Sequence, residues 1–191
     1  FKVLVGYQQP EWVKNAVFYQ IFPDRFCRGN EKHRVKDGEY SFNGCPAIQV
    51  KNWNQIPGGY WDSHCMDFYG GDLEGIIQKI PYLKKLGINA LYLNPIFYAA
   101  TVHRYDCLDY FHVDPHLGGD EALVKLSRAL HMNGMRLILD VSVNHTGTAH
   151  KWFNKNGEFF PLSQGAYHNP GTKEREYYLF NNDEYKAWND V

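Results

Sequence analysis

The sequence predicts an α/β fold built on a parallel sheet, from three observations. Strand-like apolar runs alternate with amphipathic helical segments, each helix closes on a glycine just before the next strand, and long loops follow the strands. The order strand, helix, strand, helix, strand implies crossover connections that keep the strands parallel. The glycine-rich phosphate turn of a dinucleotide fold follows none of the three strands, which weighs against a doubly wound sheet. Long loops at the strand C-termini favour a partial (β/α)8 TIM barrel, its first three βα units, whose functional face lies at those ends.

Each element rests on its own signal. Residues 16–22, AVFYQIF, are apolar, β-branched and aromatic, and Pro23-Asp24 end the run, so a buried strand is expected. Residues 28–67 are rich in Gly, Asn, Lys, Asp and Trp without a clear period, and read as a long loop. Asp72 is placed to cap a helix whose apolar face is Leu73, Ile76, Ile77, Ile80, Leu83 and Leu86, with a break at Pro81 and Gly87 as its stop. Residues 88–93 are almost continuously apolar, as a strand covered on both faces requires, and Asn94-Pro95 terminate them. A second loop, 96–119, carries Tyr and His. Asp120 then caps a helix with Leu123, Leu126 and Leu130 on one face, Gly134 closes it, and residues 135–141 form the third strand. From Thr146 onward the rhythm stops, and an irregular, aromatic excursion is expected.

Composition narrows the function classes. The net charge is −1 and no basic stripe is present, so nucleic acid is not an expected partner. No apolar run approaches the ~20 residues of a membrane span, so no membrane partner is expected, and no charged n-region precedes an apolar stretch. Cys27, Cys45, Cys65 and Cys107 form neither a C-x-x-C pair nor zinc-finger spacing, which reads as free thiols and a cytoplasmic location. Aromatic residues make up 16% of the chain; rings stack on sugar faces, although a ring-rich core is the commoner reason for such an excess.

The polar residues fall where a barrel places its chemistry. Asn94, Asp140, Asn144 and His145 lie at or just past strand C-termini, and His103, Tyr105, Asp106 and Asp109 lie in the loop after the second strand. Each has a plainer reading. Asp140 reads equally as a structural carboxylate accepting N–H bonds, His145 as a packed or surface histidine, Tyr105 as core, and Asp106 and Asp109 as solvated or paired with Arg104. Asn30, Asp72 and the carbonyl of Gly70 are candidate oxygen ligands for calcium, against the reading of Asp72 as an N-cap. No H-E-x-x-H zinc motif occurs.

Together, "AVFYQIFPDRF", "FYGGDLEGIIQKIPYLKKLGINALYLNPIF", "HRYDCLDYFHVDPHLGGDEALVKL" and "GMRLILDVSVNH" resemble the start of the catalytic barrel of the α-amylase superfamily, glycoside hydrolase family 13. The resemblance covers roughly residues 10 to 180 and is nearest to the cyclomaltodextrinase, neopullulanase and maltodextrin glucosidase branch; "AYHNP" is most like the last. It implies Tyr105 as the ring under the sugar at the cleavage subsite, His145 as a hydrogen-bond partner of that sugar, His103 and Asp106 in the same subsite loop, and Asp140 as the acid that braces the barrel mouth. Asn144 matches an asparagine that binds calcium in some amylases. The branch often holds calcium in the loop after the first strand, but here that loop reads "CRGNEKHRVKDGEY" and departs from the expected Asn and Asp ligands.

The resemblance further implies residues 1–10 as a linker from an upstream domain, 11–145 as the first part of the barrel, and 146–191 as the start of a domain B. No cofactor is required, and calcium is the one candidate ion. The expected substrate is an α-glucan: maltodextrin, cyclodextrin or pullulan, cut at α-1,4 and in some substrates α-1,6 bonds with retention. The two catalytic carboxylates follow the fourth and fifth strands, beyond Val191, so no nucleophile is assigned. The parent is expected to be an enzyme, in such a branch often a homodimer, and the fragment inactive, with an open sheet edge and an unfilled interior. The alternative is a non-catalytic barrel homologue that binds sugar or protein; an Asp after the fourth strand and a Glu after the fifth would discriminate.

Overall fold

The computed structural model describes residues 5–181 together with 184 and 185. Residues 1–4 of the expected linker, and 182, 183 and 186–191 of the expected excursion, lie outside the described residues.

Three parallel strands form the central sheet: β1 (Phe18–Ile21), β2 (Ala90–Leu93) and a last strand, Arg136–Leu139. The helix predicted after β1 is two helices, α1 (Leu73–Gln78) and α2 (Ile80–Lys85), which meet at Lys79 with Pro81 in the first turn of the second. Proline is tolerated there because the first N–H groups of a helix have no partner in the helix itself. Asp72 caps α1, its side chain accepting the Gly75 N–H.

Residues 96–119 are not simply a loop. They contain an antiparallel pair, β3 (Phe97–Ala99) and β4 (Cys107–Val113), followed by α3 (Gly119–Met132); the third parallel strand is therefore β5. β1 pairs with β2 from Phe18↔Ala90 to Ile21↔Leu93, and β2 pairs with β5 from Ala90↔Arg136 to Leu93↔Leu139.

The two helix-to-strand passages share one hydrogen-bond pattern. Gly87 donates to the Lys84 carbonyl and Ile88 to that of Leu83; Gly134 donates to His131 and Met135 to Leu130. This pair of bonds is the Schellman closure, whose turn residue needs positive φ, and the two glycines stand at +79° and +71°. The sequence repeat "LGIN" and "NGMR" is thus one physical device used twice.

Strand alternation divides the sheet. Tyr19, Ile21, Leu91, Leu93, Leu137 and Leu139 turn toward the helices and join Leu73, Ile76, Ile80, Leu83, Leu117, Leu126 and Leu130 in the main core. The opposite parity carries Gln20, Tyr92 and Ile138 in register, and Asn94 and Asp140 follow two residues on at the ends of their strands.

Two sequence expectations need correction. Asp120 does not cap α3: Gly118 holds that position, and the Asp120 carboxylate reaches back to the Val113 N–H at 2.8 Å. The capping role moves upstream to Asp114, which accepts the His116 N–H and closes a 3-10 turn at Pro115–Leu117. Residues 28–67 also hold more than a loop. They include a short hairpin (Ser41–Phe42 with Cys45–Pro46), a parallel pair (Ile48–Gln49 with Asp67–Phe68) and a five-residue helix, Gly59–Ser63. They bury a core of their own at Val35, Ala47, Met66 and Phe68, shared with Val102.

The segment after β1 lies directly on the start of α1, and small residues permit the approach. A Cβ on Gly75 would stand 2.0 Å from the Cys27 carbonyl oxygen, and one on Gly71 would stand 2.2 Å from that of Pro23. Neither obstacle is a flexible side chain. Gly75→Ala is therefore expected to destabilise the protein by about 3 kcal/mol or more, at the upper end of overpacking costs, read as a shift in the urea midpoint.

Candidate functional site

The site is built where the sheet's open face meets the C-terminal strand ends. Tyr105 lies in the turn between β3 and β4, just after Arg104, a non-glycine residue at φ +60°. Arg104 is buried and ion-pairs with Asp114 at 2.8 Å, its guanidinium also donating to the Val102 carbonyl. The two side chains are 1% and 2% exposed, so this is an internal pair rather than a surface one. Burial works against both charges. Asp114, and after it Asp24, nonetheless hold the Arg104 pKa above its ordinary value, and Arg104 with His116 holds the Asp114 carboxyl below its own. The buried pair anchors the turn that presents Tyr105.

From Tyr105 a line of hydrogen bonds crosses all three parallel strands. Its hydroxyl donates to Asp140 Oδ2 at 2.6 Å and accepts from Asn94 Nδ2 at 3.3 Å, while Asn94 Oδ1 accepts from Gln20 Nε2 at 3.0 Å. The bond to Asp140, with burial and the Asp140 charge behind it, pushes the Tyr105 phenol up to about 12. Tyr92 also turns to Asp140; burial, then that charge and a hydrogen bond to it, raise its pKa.

His103 and Asp106 form the second part. Tyr105 N–H donates to His103 Nδ1 at 3.0 Å, His103 Nε2 lies 3.0 Å from Thr101 Oγ1, and that hydroxyl donates to Asp106 Oδ1 at 2.7 Å. Burial lowers the His103 pKa against the pull of Asp106. A neutral imidazole with the proton on Nε2 fits these contacts, because Nδ1 is accepting. Neither Asp106 nor Asp109 pairs with Arg104 in the way the sequence allowed: Asp109 binds Lys151 at 2.8 Å and His112 at 2.9 Å.

His145 is held by a different set. Its ring Nε2 lies 3.4 Å from Ser142 Oγ, and the Tyr110 hydroxyl lies 2.8 Å from its carbonyl oxygen and 2.6 Å from that of Ser142. Tyr110 therefore ties down the turn that carries His145. Asn144 is exposed in the same turn.

The calcium reading of Asn30, Gly70 and Asp72 does not fit. Asp72 is fully buried; Oδ1 accepts the N–H groups of Gly29 and Gly75, and Oδ2 accepts that of Asn30 and faces His33 Nδ1 at 2.9 Å. Asn30 Oδ1 accepts the Lys32 N–H, and its amide donates to Glu74. The Asp72 and Asn30 side-chain oxygens are committed to protein donors. Among the described residues, no group of three or more His, Cys, Asp or Glu is placed to hold a metal ion.

Sequence reasoning missed Gln20, Tyr92, Thr101 and Tyr110. The signal for Gln20 was present: it is an amide within an apolar strand run, one residue before the strand's end.

Comparison with known proteins supplies the family context. The family model of the alpha-amylase catalytic domain matches residues 20–190. The chain is 44% identical over 155 residues to the intracellular maltogenic amylase of Bacillus subtilis (strain 168), covering 80% of this chain and 24% of that protein. It is also 44% identical over 141 residues to the cyclomaltodextrinase of Geobacillus thermopakistaniensis, covering 74% of this chain and 21% of that one. Among solved structures, the type III pullulan hydrolase from Thermococcus kodakarensis aligns with a TM-score of 0.74 at 32% identity, over 97% of this chain and 30% of that chain. The chain thus spans about a quarter of the length of the curated relatives it matches.

Proposed function

The chain belongs to the alpha-amylase catalytic-domain family, and from that premise we propose that its parent protein hydrolyses α-glucosidic bonds in maltodextrins, cyclodextrins or pullulan. The bonds are α-1,4 and, in some substrates, α-1,6. The observation that carries this reading is the fixing of Tyr105: its hydroxyl is held between Asp140 and Asn94 at the ends of parallel strands, with His103 beside it. A ring fixed at its far edge offers a flat apolar platform to a pyranose face. In this proposal His145, His103 and Asp106 orient sugar hydroxyls, while Asp140, Asn94 and Asn144 support the site.

In this proposal the three parallel strands, the first two of them followed by helices, belong to an eight-stranded barrel, with residues 1–10 a linker and 146–191 the beginning of a domain B. The nucleophile and the acid/base come from strands outside residues 1–191, as two carboxylates about 5–5.5 Å apart, and the reaction retains anomeric configuration. Residues 1–191 alone are then inactive. The same reading makes the parent an intracellular homodimer; the Bacillus subtilis relative carries the word intracellular in its name, and no described helix is long and apolar enough to cross a membrane.

The test is hydrolysis of maltotriose, β-cyclodextrin and pullulan by the full-length parent, with product anomers followed by NMR. Release of α-anomers supports the proposal. Initial β-anomers would remove the retaining mechanism, and binding without hydrolysis of any of the three would leave a sugar-binding barrel instead. Hydrolysis by residues 1–191 alone would overturn the placement of the carboxylates.

A further inference from the structure

From the line of hydrogen bonds that ends on Asp140, we infer that Gln20 is a positioning residue for Tyr105, acting through the amide of Asn94. The inference rests on the reading of Tyr105 as the sugar platform. It extends that reading to a residue on the same face of the sheet, on the edge strand away from Asp140.

Donor and acceptor polarity fixes the direction of each bond in the line. An ionised carboxylate only accepts, so the single Tyr105 proton goes to Asp140, across the shortest link at 2.6 Å. The phenol oxygen can then only accept from its other neighbour, and Asn94 must turn its NH2 toward it. That leaves the Asn94 carbonyl facing β1, where a donor is required, and Gln20 Nε2 stands 3.0 Å away. The line has an acceptor-only group at one end and so needs a donor at the other. Gln20 occupies that end on β1, with Tyr92 opposite it in register on β2. Its consequence is geometric: a phenol held by two partners keeps its ring plane, whereas one held by Asp140 alone can swing about that bond.

This makes an unusual demand on substitutions. Glutamate is nearly isosteric with glutamine, yet it puts an acceptor-only group at both ends. One link must then fail, and the weakest is Asn94 to Tyr105, the longest at 3.3 Å. Methionine removes the amide altogether but imposes no polarity, so Asn94 keeps its orientation toward Tyr105. A role in packing or shape predicts the reverse ranking, with glutamate the milder change.

The experiment is a double-mutant cycle in the full-length parent, with maltotriose as substrate. Gln20→Glu is expected to lower kcat/KM by roughly three- to tenfold, the scale of one neutral hydrogen bond, mainly through KM, and Gln20→Met by clearly less. With Tyr105→Phe, which lacks the hydroxyl, the difference between the two should vanish. A crystal structure of Gln20→Glu should show the Asn94–Tyr105 contact opened and the Tyr105–Asp140 contact kept. Glutamate no worse than methionine, or a glutamate penalty undiminished with Tyr105→Phe (a plain charge effect), would overturn the inference. So would an intact Asn94–Tyr105 contact in the Gln20→Glu structure, a readout that stands even if the parent proves inactive and the sugar-platform reading fails alone.

Discussion

Asp114→Ala is expected to cost the protein about 3–5 kcal/mol of stability, the range for breaking a buried ion pair from one side. The Arg104 side chain it pairs with is 1% exposed. With Asp114 gone, the arginine keeps the Val102 carbonyl and the more distant charge of Asp24, which do not replace a 2.8 Å carboxylate contact. The same substitution removes the acceptor for the His116 N–H, a cap worth about 1 kcal/mol. Total stabilities of about 5–15 kcal/mol leave little margin for such a loss. Activity should fall with it, because Arg104 immediately precedes Tyr105 and holds the turn that presents it. Adding Arg104→Met should restore part of the lost stability, since a buried pair replaced by apolar groups is often nearly neutral. Chemical denaturation of the parent, followed by tryptophan fluorescence, measures both changes. A loss under about 1 kcal/mol for Asp114→Ala would show that the pair is reached by solvent.

What the sequence made legible follows from the range of the interactions that fix each element. The three parallel strands are covered on one side by helices and continue a barrel wall, so they read as largely apolar runs. Their helices stop at Gly87 and Gly134 because the Schellman turn needs positive φ, a local demand written in one residue. The antiparallel pair of Phe97–Ala99 with Cys107–Val113 was not legible, since its register shifts twice within three residues and no alternation survives. Nor was the small core of Val35, Ala47, Met66 and Phe68, because its members lie in two-residue strands and turns. Asp72 and Asp120 show the limit for single acids. Both precede helical periodicity, but only Asp72 has its helix start immediately after it; a turn capped by Asp114 moves the other start upstream. Among the candidate site residues, Tyr105, His103 and Asp106 were singled out by their loop and Asp140 by its strand end. Gln20 was passed over because its use depends on a partner, Asn94, 74 residues away.

Asp140→Asn is expected to return the Tyr105 phenol from about 12 toward its ordinary value near 10. The leading cause of that elevation is the hydrogen bond to the carboxylate, supported by burial and by the negative charge. An asparagine keeps the shape and one acceptor oxygen but removes the charge, so the bond weakens from a charge-assisted to a neutral one. The titration is readable by 13Cζ-tyrosine NMR, with Tyr105→Phe identifying the signal. Asp140→Ala goes further. It removes the acceptor from Tyr105 altogether, leaving the Asn94 amide as the tether on its hydroxyl. If Tyr105 is the platform under the sugar, kcat/KM should fall roughly a hundredfold, the scale of an ångström-sized misplacement at a reacting centre. Asp140→Asn should fall between the wild type and Asp140→Ala. Tyr105→Phe should resemble Asp140→Asn more than Asp140→Ala, since it keeps the Asp140 side chain in place beside the ring. A Tyr105 phenol that stays near 12 in Asp140→Asn would assign the elevation to burial alone and detach Asp140 from the positioning of the ring.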